Sequence, residues 1–163
     1  MKFIYSLIIL LCCNTLTFGQ TTLDATLKKL NTESIPYTYV SEVKTDSDVI
    51  ILDTRKKEEY EVSHIKNSVW VGYEGFRTQN VINKIPNSDT EIVVYCSIGV
   101  RSEDIGEKLK KAGYTNVKNL YGGIFEWKNQ GKSVFKTNSV ETDSIHTYNK
   151  QWSKLLSKGI KVY

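Results

Sequence analysis

Four short apolar runs, each bounded by polar or turn-forming residues, set the frame of this chain. Asp48-Val49-Ile50-Ile51-Leu52-Asp53 and Glu91-Ile92-Val93-Val94-Tyr95 are continuous rather than alternating. That pattern predicts strands covered on both faces, as in a parallel sheet. Ser68-Val69-Trp70-Val71 and Val117–Leu120 read as two further strands. Helical spacing fills the intervals. Residues 24–30 carry Leu23, Leu27 and Leu30 toward one face before Ile35-Pro36-Tyr37 breaks the helix. Residues 56–62 make a short helical turn, and residues 80–85 another before Pro86. Residues 102–112 present Ile105, Leu109 and Ala112 on one side, with acids in the first turn and Gly113 as a stop. Gly122-Gly123 turns the chain into a last helix over 124–129. Strands alternating with helices predict an α/β fold with a parallel sheet.

The composition, 40% hydrophobic and 25% charged, is that of a soluble globular domain and suits one core. The net charge is +4, and it falls by one if Lys2 is removed. No Lys/Arg run punctuated by aromatics accompanies it, so the expected partners do not include nucleic acid. Only a mild attraction for small anions is implied. The first residues read as an export signal. Lys2 precedes an apolar run from Phe3 to Leu11, and Thr17-Phe18-Gly19 offers small residues for a cut before Gln20. Lipidation at Cys12 is the rival, disfavoured by the bulky Leu11. The run is too short to span a bilayer and no second one follows, so no membrane span is expected. The expected location is the periplasm of a Gram-negative cell, or the medium.

Export makes the cysteine count informative. The chain has three cysteines, and Cys12 and Cys13 would leave with the signal. The remaining Cys96 cannot form an internal disulfide. It opens the loop Cys96-Ser97-Ile98-Gly99-Val100-Arg101-Ser102, between a buried strand and a helix. Ligands of open α/β sheets collect at the carboxyl ends of strands. A tight loop containing Gly99 can turn backbone N–H groups inward as an anion nest. The helix N-terminus adds partial positive charge, and Arg101 a full one able to grip an oxyanion through two parallel hydrogen bonds. All three effects favour thiolate over thiol. The bland alternative is a buried structural cysteine at a strand end.

The stretch Val94-Tyr95-Cys96-Ser97-Ile98-Gly99-Val100-Arg101-Ser102 resembles the active-site loop of the rhodanese family of sulfurtransferases. Asp53-Thr54-Arg55-Lys56-Lys57-Glu58-Glu59-Tyr60 with His64-Ile65-Lys66-Asn67-Ser68 resembles that family's amino-terminal signature. Gly122-Gly123-Ile124-Phe125-Glu126-Trp127 resembles its carboxy-terminal one. Three signatures in order are a strong signal. The resemblance implies a rhodanese-like fold, a five-stranded parallel sheet flanked by helices. It divides the chain into a signal peptide (1–19), an N-terminal helical segment (20–34), a rhodanese-like domain (35–132) and a C-terminal extension packing on it (133–163).

It also implies that Cys96 takes sulfur from a donor as a persulfide and passes it on, with Ser97 through Ser102 binding the substrate. Thiosulfate or a similar small anionic donor, and a thiol, cyanide or a thiol-bearing partner protein as acceptor, are the expected reactants. No cofactor and no metal are expected. The six residues from Cys96 through Arg101 match the sulfurtransferase loop; related phosphatases and arsenate reductases carry one more. A persulfide carrier and a rhodanese-fold binding module without chemistry are the competing readings, with a phosphatase or arsenate reductase third.

The supporting residues have two readings each. Asp53 either orients Arg55 or the cysteine loop, or serves the scaffold; the scaffold is preferred. Arg55 either faces the site or pairs with Glu59 four residues on; the pair is preferred. His64 is expected to be a structural hydrogen-bonding residue rather than half of a Cys–His pair. His146 is expected to be solvated, and Trp70 and Trp127 to pack in the core or at its rim. Tyr148, Trp152, Leu155 and Leu156 recur at roughly helical spacing. A strap over the sheet is preferred for them to a rim of the active site.

Overall fold

The computed structural model describes residues 17–163, with the side chains of 17–22 left aside. Five strands form one sheet: β1 (Tyr37–Thr38), β2 (Ile50–Asp53), β3 (Val69–Trp70), β4 (Ile92–Tyr95) and β5 (Val117–Leu120). Their order is β1-β5-β4-β2-β3, and every pairing is parallel. The central strands β2 and β4 run in register from Ile50–Ile92 to Asp53–Tyr95. Apart from Asp53 at the end of β2, both are built of apolar and aromatic residues, because both faces are covered. Ile51, Val93 and Tyr95 belong to one core cluster, Leu52, Ile92 and Val94 to the other. The period of two along a strand divides them so.

The helices are α1 (Thr17–Leu30), α2 (Lys57–Val62), α3 (Thr78–Lys84), α4 (Val100–Lys111) and α5 (Gly123–Asn129). Ile105 and Leu109 of α4 and Val81 of α3 pack on the second face; Leu23 and Leu27 of α1 and Ile124, Phe125 and Trp127 of α5 pack on the first. One strand went unread and two expectations are corrected. The edge strand β1 was not legible, because only two residues pair and Pro36 precedes them. Leu30 is exposed; Asn31 takes the inward position instead, in line with Leu23 and Leu27 at four-residue steps. The helix after Cys96 begins at Val100 rather than Ser102, so Arg101 lies in its first turn instead of in the loop before it.

The expected signal lies outside the described residues, except for Thr17 through Gly19 at the start of α1. Among the described residues, no helix is long and apolar enough to cross a membrane.

Beyond α5 the chain forms two small ribbons and a turn of 3-10 helix. β6 (Val134–Phe135) pairs antiparallel with β7 (Glu141–Thr142), and β8 (Ser144–His146) parallel with β9 (Ile160–Val162). The 3-10 turn covers Trp152–Leu155. Val134, Ile145 and Leu156 join the first core cluster, so these residues close the sheet face that α1 and α5 leave open. The helical spacing read across Tyr148 does not extend to it. Tyr148 sits in a turn with φ 63°.

Candidate active site

Strand β4 delivers Cys96 to the carboxyl edge of the sheet at its centre. Gly99 then adopts φ 111°, which turns the chain abruptly into α4 and aims its own N–H back at the sulfur, 3.2 Å away. The loop is braced from behind by α5. Ile124 and Phe125 donate their amides to the carbonyls of Cys96 and Ser97 at 3.0 and 3.1 Å. That approach requires Gly123, with φ 54°, since a Cβ there would stand 2.3 Å from the Cys96 oxygen. The Gly-Gly pair thus lets a helix N-terminus touch the cysteine loop.

Burial pushes the Cys96 thiol up, but the Arg101 charge and the Ser102 and Gly99 amides outweigh it. The thiol ends below its ordinary value. The Ser102 hydroxyl lies between two acceptors, the sulfur and Asn119 Oδ1, and has one proton to give. The Asn119 oxygen takes it at 2.7 Å, which leaves the sulfur to the amides and Arg101. Cys96 is 1% exposed, yet it lies at the bottom of a cavity of about 250 Å³. Ser97, Ile98, Val100 and Arg101 line that cavity with it. Gly99 and Ser102 stand behind it.

Arg101 does not hold its guanidinium open for an anion, as its place in the sequence had suggested. Its Nη1 and Nη2 donate to the two carboxylate oxygens of Glu59 at 2.8 and 2.9 Å, and Nη2 also reaches Ser97 Oγ at 3.1 Å. Ser97 Oγ in turn donates to Glu59 Oε1. Burial pushes the Glu59 carboxyl up, but hydrogen bonds and charge from Arg101 win and hold it below the usual range. The Glu59–Arg55 pair expected from the sequence is therefore replaced. Arg55 turns the other way, fully buried. It grips Asp53 with Nε and Nη2 at 3.0 and 2.6 Å and donates to the Ser63 carbonyl at 2.6 Å. The four-residue spacing favoured Glu59, but Arg55 precedes α2 and does not share its face.

His64 pairs its backbone with Phe135, stacks on Tyr60 at 4.0 Å and sets Nδ1 3.1 Å from the Tyr60 carbonyl. Asp53, Arg55 and His64 do not line the Cys96 cavity. His146 is half-buried rather than solvated, and its Nδ1 accepts the Tyr148 N–H. Trp127 is buried and Trp70 stands at the rim, its indole N–H on the Arg55 carbonyl.

Two groups escaped the sequence reading. Asn119 and Asn31 both donate to the Gly99 carbonyl, at 2.8 and 3.0 Å, and so fix the peptide after the turn. Asn119 had a signal, since the period of two in β5 puts it on the same face as Val117 and away from Lys118; Asn31 had none. The extension also does more than strap the sheet. Tyr148 and Trp152 stand in the wall of the Cys96 cavity, and the Tyr148 ring lies 5.6 Å from the Arg101 guanidinium. Among the described residues, no cluster of His, Cys, Asp and Glu could hold a metal ion.

A family model described as the rhodanese-like domain matches residues 37–130. The chain belongs to the rhodanese-like domain family. The sheet, the strand–loop–helix around Cys96 and the bracing by α5 all fall inside the matched span. The tRNA uridine(34) hydroxylase of Salmonella newport is 31% identical over 97 residues, covering 58% of this chain and 28% of that protein. Its counterpart from Pectobacterium atrosepticum is 33% identical over 99 residues, covering 58% and 27%. The chain thus spans little more than a quarter of the length of these curated relatives. In structure it is similar to a thiosulfate sulfurtransferase from Pseudomonas aeruginosa, with TM-score 0.59 and 21% identity, over 72% of this chain and 23% of that one. A rhodanese-like domain from Anabaena gives TM-score 0.55 and 22% identity, over 62% and 79%. These structural likenesses carry the rhodanese-like fold. Tyr148 and Trp152 lie beyond the matched residues.

Proposed function

We propose that this rhodanese-like chain is a sulfurtransferase that works through a persulfide on Cys96. The observation that carries the reading is a lone sulfur held 3.2 Å from the Gly99 amide, at the bottom of a cavity, with its thiol below the ordinary value. In the first step the Cys96 thiolate attacks the outer sulfur of thiosulfate or a similar donor. A new S–S bond forms, the donor's S–S bond breaks, and the electron pair leaves on sulfite. An acceptor thiolate then attacks the outer persulfide sulfur and Cys96 leaves as thiolate, so charge and sulfur balance without cofactor. This is covalent catalysis with ping-pong kinetics. The Gly99 and Ser102 amides stabilise both the thiolate and the persulfide anion. Arg101 contributes its field and, through Glu59 and Ser97, the shape of the loop.

The partners proposed are a small anionic donor and a thiol acceptor, free or on a protein. Export through residues 1–19 is part of the proposal, and N-terminal sequencing of the mature protein tests it. The sulfur-transfer reading is tested by intact mass after incubation with thiosulfate. A gain of one sulfur atom on wild type and none on Cys96→Ser supports it. Turnover that survives Cys96→Ser removes it. A persulfide that forms only from a partner protein would identify a carrier instead.

A further inference from the structure

We propose that the C-terminal extension makes this site selective for sulfane-sulfur donors with an apolar body, organic thiosulfonates or organic persulfides, and that Tyr148 and Trp152 select them. The inference rests on the Cys96 sulfur-transfer reading. Two observations lead to it. The first is electrostatic. The cations at the cavity are already matched: Arg101 by Glu59 at 2.8 Å, and Lys56 by Glu74 at 3.3 Å. An inorganic dianion entering beside a thiolate would meet a guanidinium already neutralised by a buried carboxylate, the loop amides and one solvent-screened lysine. A monoanion loses less there.

The second observation is shape. The cavity of about 250 Å³ holds the space of about eight waters, and thiosulfate alone would leave most of it to solvent. Its apolar and aromatic walls are Tyr73, Ile98, Val100, Tyr148 and Trp152, with Lys56, Glu74, Ser97 and Arg101 as the polar part of the lining. That is the lining of a pocket for an apolar group with a few oriented polar contacts. The two aromatic side chains from the extension are built into place. Trp152 packs on the first core cluster, and its amide is held by Asn149 Oδ1 at 3.0 Å. Tyr148 adopts φ 63°, a backbone that a bulky residue rarely takes, with its amide on His146 Nδ1. The ring is 51% exposed, so a ligand could cover it.

The chemistry is unchanged in kind. Thiolate Cys96 attacks the outer sulfur of R–SO2–S⁻, a persulfide forms, and the electron pair leaves on the sulfinate R–SO2⁻. With R–S–S⁻ the leaving group is R–S⁻. The group R lies against Tyr148 and Trp152, where its contact removes apolar surface from water.

The test compares kcat/KM for benzenethiosulfonate and for thiosulfate on the full chain, with Cys96 persulfide followed by mass. Wild type is expected to prefer the aryl donor by about tenfold or more, and removal of one aromatic wall to cut that ratio by about tenfold. Tyr148→Gly removes the ring and relieves the positive φ, so its fold is retained. Trp152→Leu is the second variant, its fold checked by thermal melting. A wild-type ratio near one, or a ratio unchanged in a folded Tyr148→Gly protein, overturns the selectivity while leaving sulfur transfer standing. Failure of both donors to load Cys96 overturns the sulfur-transfer reading itself.

Discussion

Two carboxylate–guanidinium pairs lie within a few residues of one another and have different environments. Asp53–Arg55 is sealed, with both side chains at 0% exposure, and Arg55 is tied to the Ser63 carbonyl. Glu59–Arg101 has a buried acid, 1% exposed, but a guanidinium that is 20% exposed and faces the cavity. The first pair joins the end of β2 to the chain after α2. It is scaffold. The second sets the charge and shape of the cysteine loop. The difference teaches that a buried ion pair is informative about function only when one member still faces a cavity. A sealed pair offers nothing to a ligand, however strongly its groups are perturbed.

Cys96→Ser gives the largest effect expected. Persulfide formation and turnover vanish, while the melting temperature stays within about 2 °C, because the hydroxyl fills nearly the same space. Stopped-flow assay and thermal melting read the two sides. Turnover in that variant would place the chemistry elsewhere. Asp53→Ala comes next and strikes the sealed pair. It strands a buried guanidinium and is expected to cost about 3–5 kcal/mol in urea unfolding. A cost under about 1 kcal/mol would mean that the pair is not the scaffold element described.

Arg101→Gln strikes the open pair, and the Cys96 titration is the readout. The thiol of wild type lies below its ordinary value, so persulfide formation rises with pH with a midpoint below that of a free cysteine. Loss of the cation is expected to move that midpoint up. An unmoved midpoint would assign the thiolate to the amides alone. The smallest effect concerns His64. Burial holds its imidazole below the ordinary value despite the Tyr60 carbonyl. The folded state therefore prefers the neutral ring. Its contribution to stability is complete above the unfolded value of about 6.5 and is lost as pH falls toward the folded value. Urea midpoints are expected to fall slightly between pH 7 and 5, and less in His64→Gln.

Much of the site was legible because its parts are local. Cys96, Gly99 and the start of α4 stand within five residues, and a strand that ends at Cys96 must aim the loop at the sheet edge. The two helix positions that went astray did so at ends, where Leu30 yields to Asn31 and α4 starts earlier than its capping acids suggested. Pairing was less legible. The four-residue spacing of Arg55 and Glu59 argued for a helix-face contact, but Arg55 lies outside α2 and its neighbour Asp53 was closer. Tyr148 and Trp152 read as a packing strap, because their spacing carries no information about which cavity they border.

By itself the sequence determined an α/β sheet with continuous apolar strands, a cysteine at the end of one of them, and a tight turn into a helix. These follow from periodicity and from the few backbone angles open to a short loop. Only the tertiary structure decided that Arg101 pairs with Glu59, 42 positions earlier, and that an aromatic turn of the extension covers the same guanidinium. The reason is physical. A buried charge must find whichever opposite charge the folded sheet brings within about 3 Å, and that distance is set by strand order, not by separation along the chain.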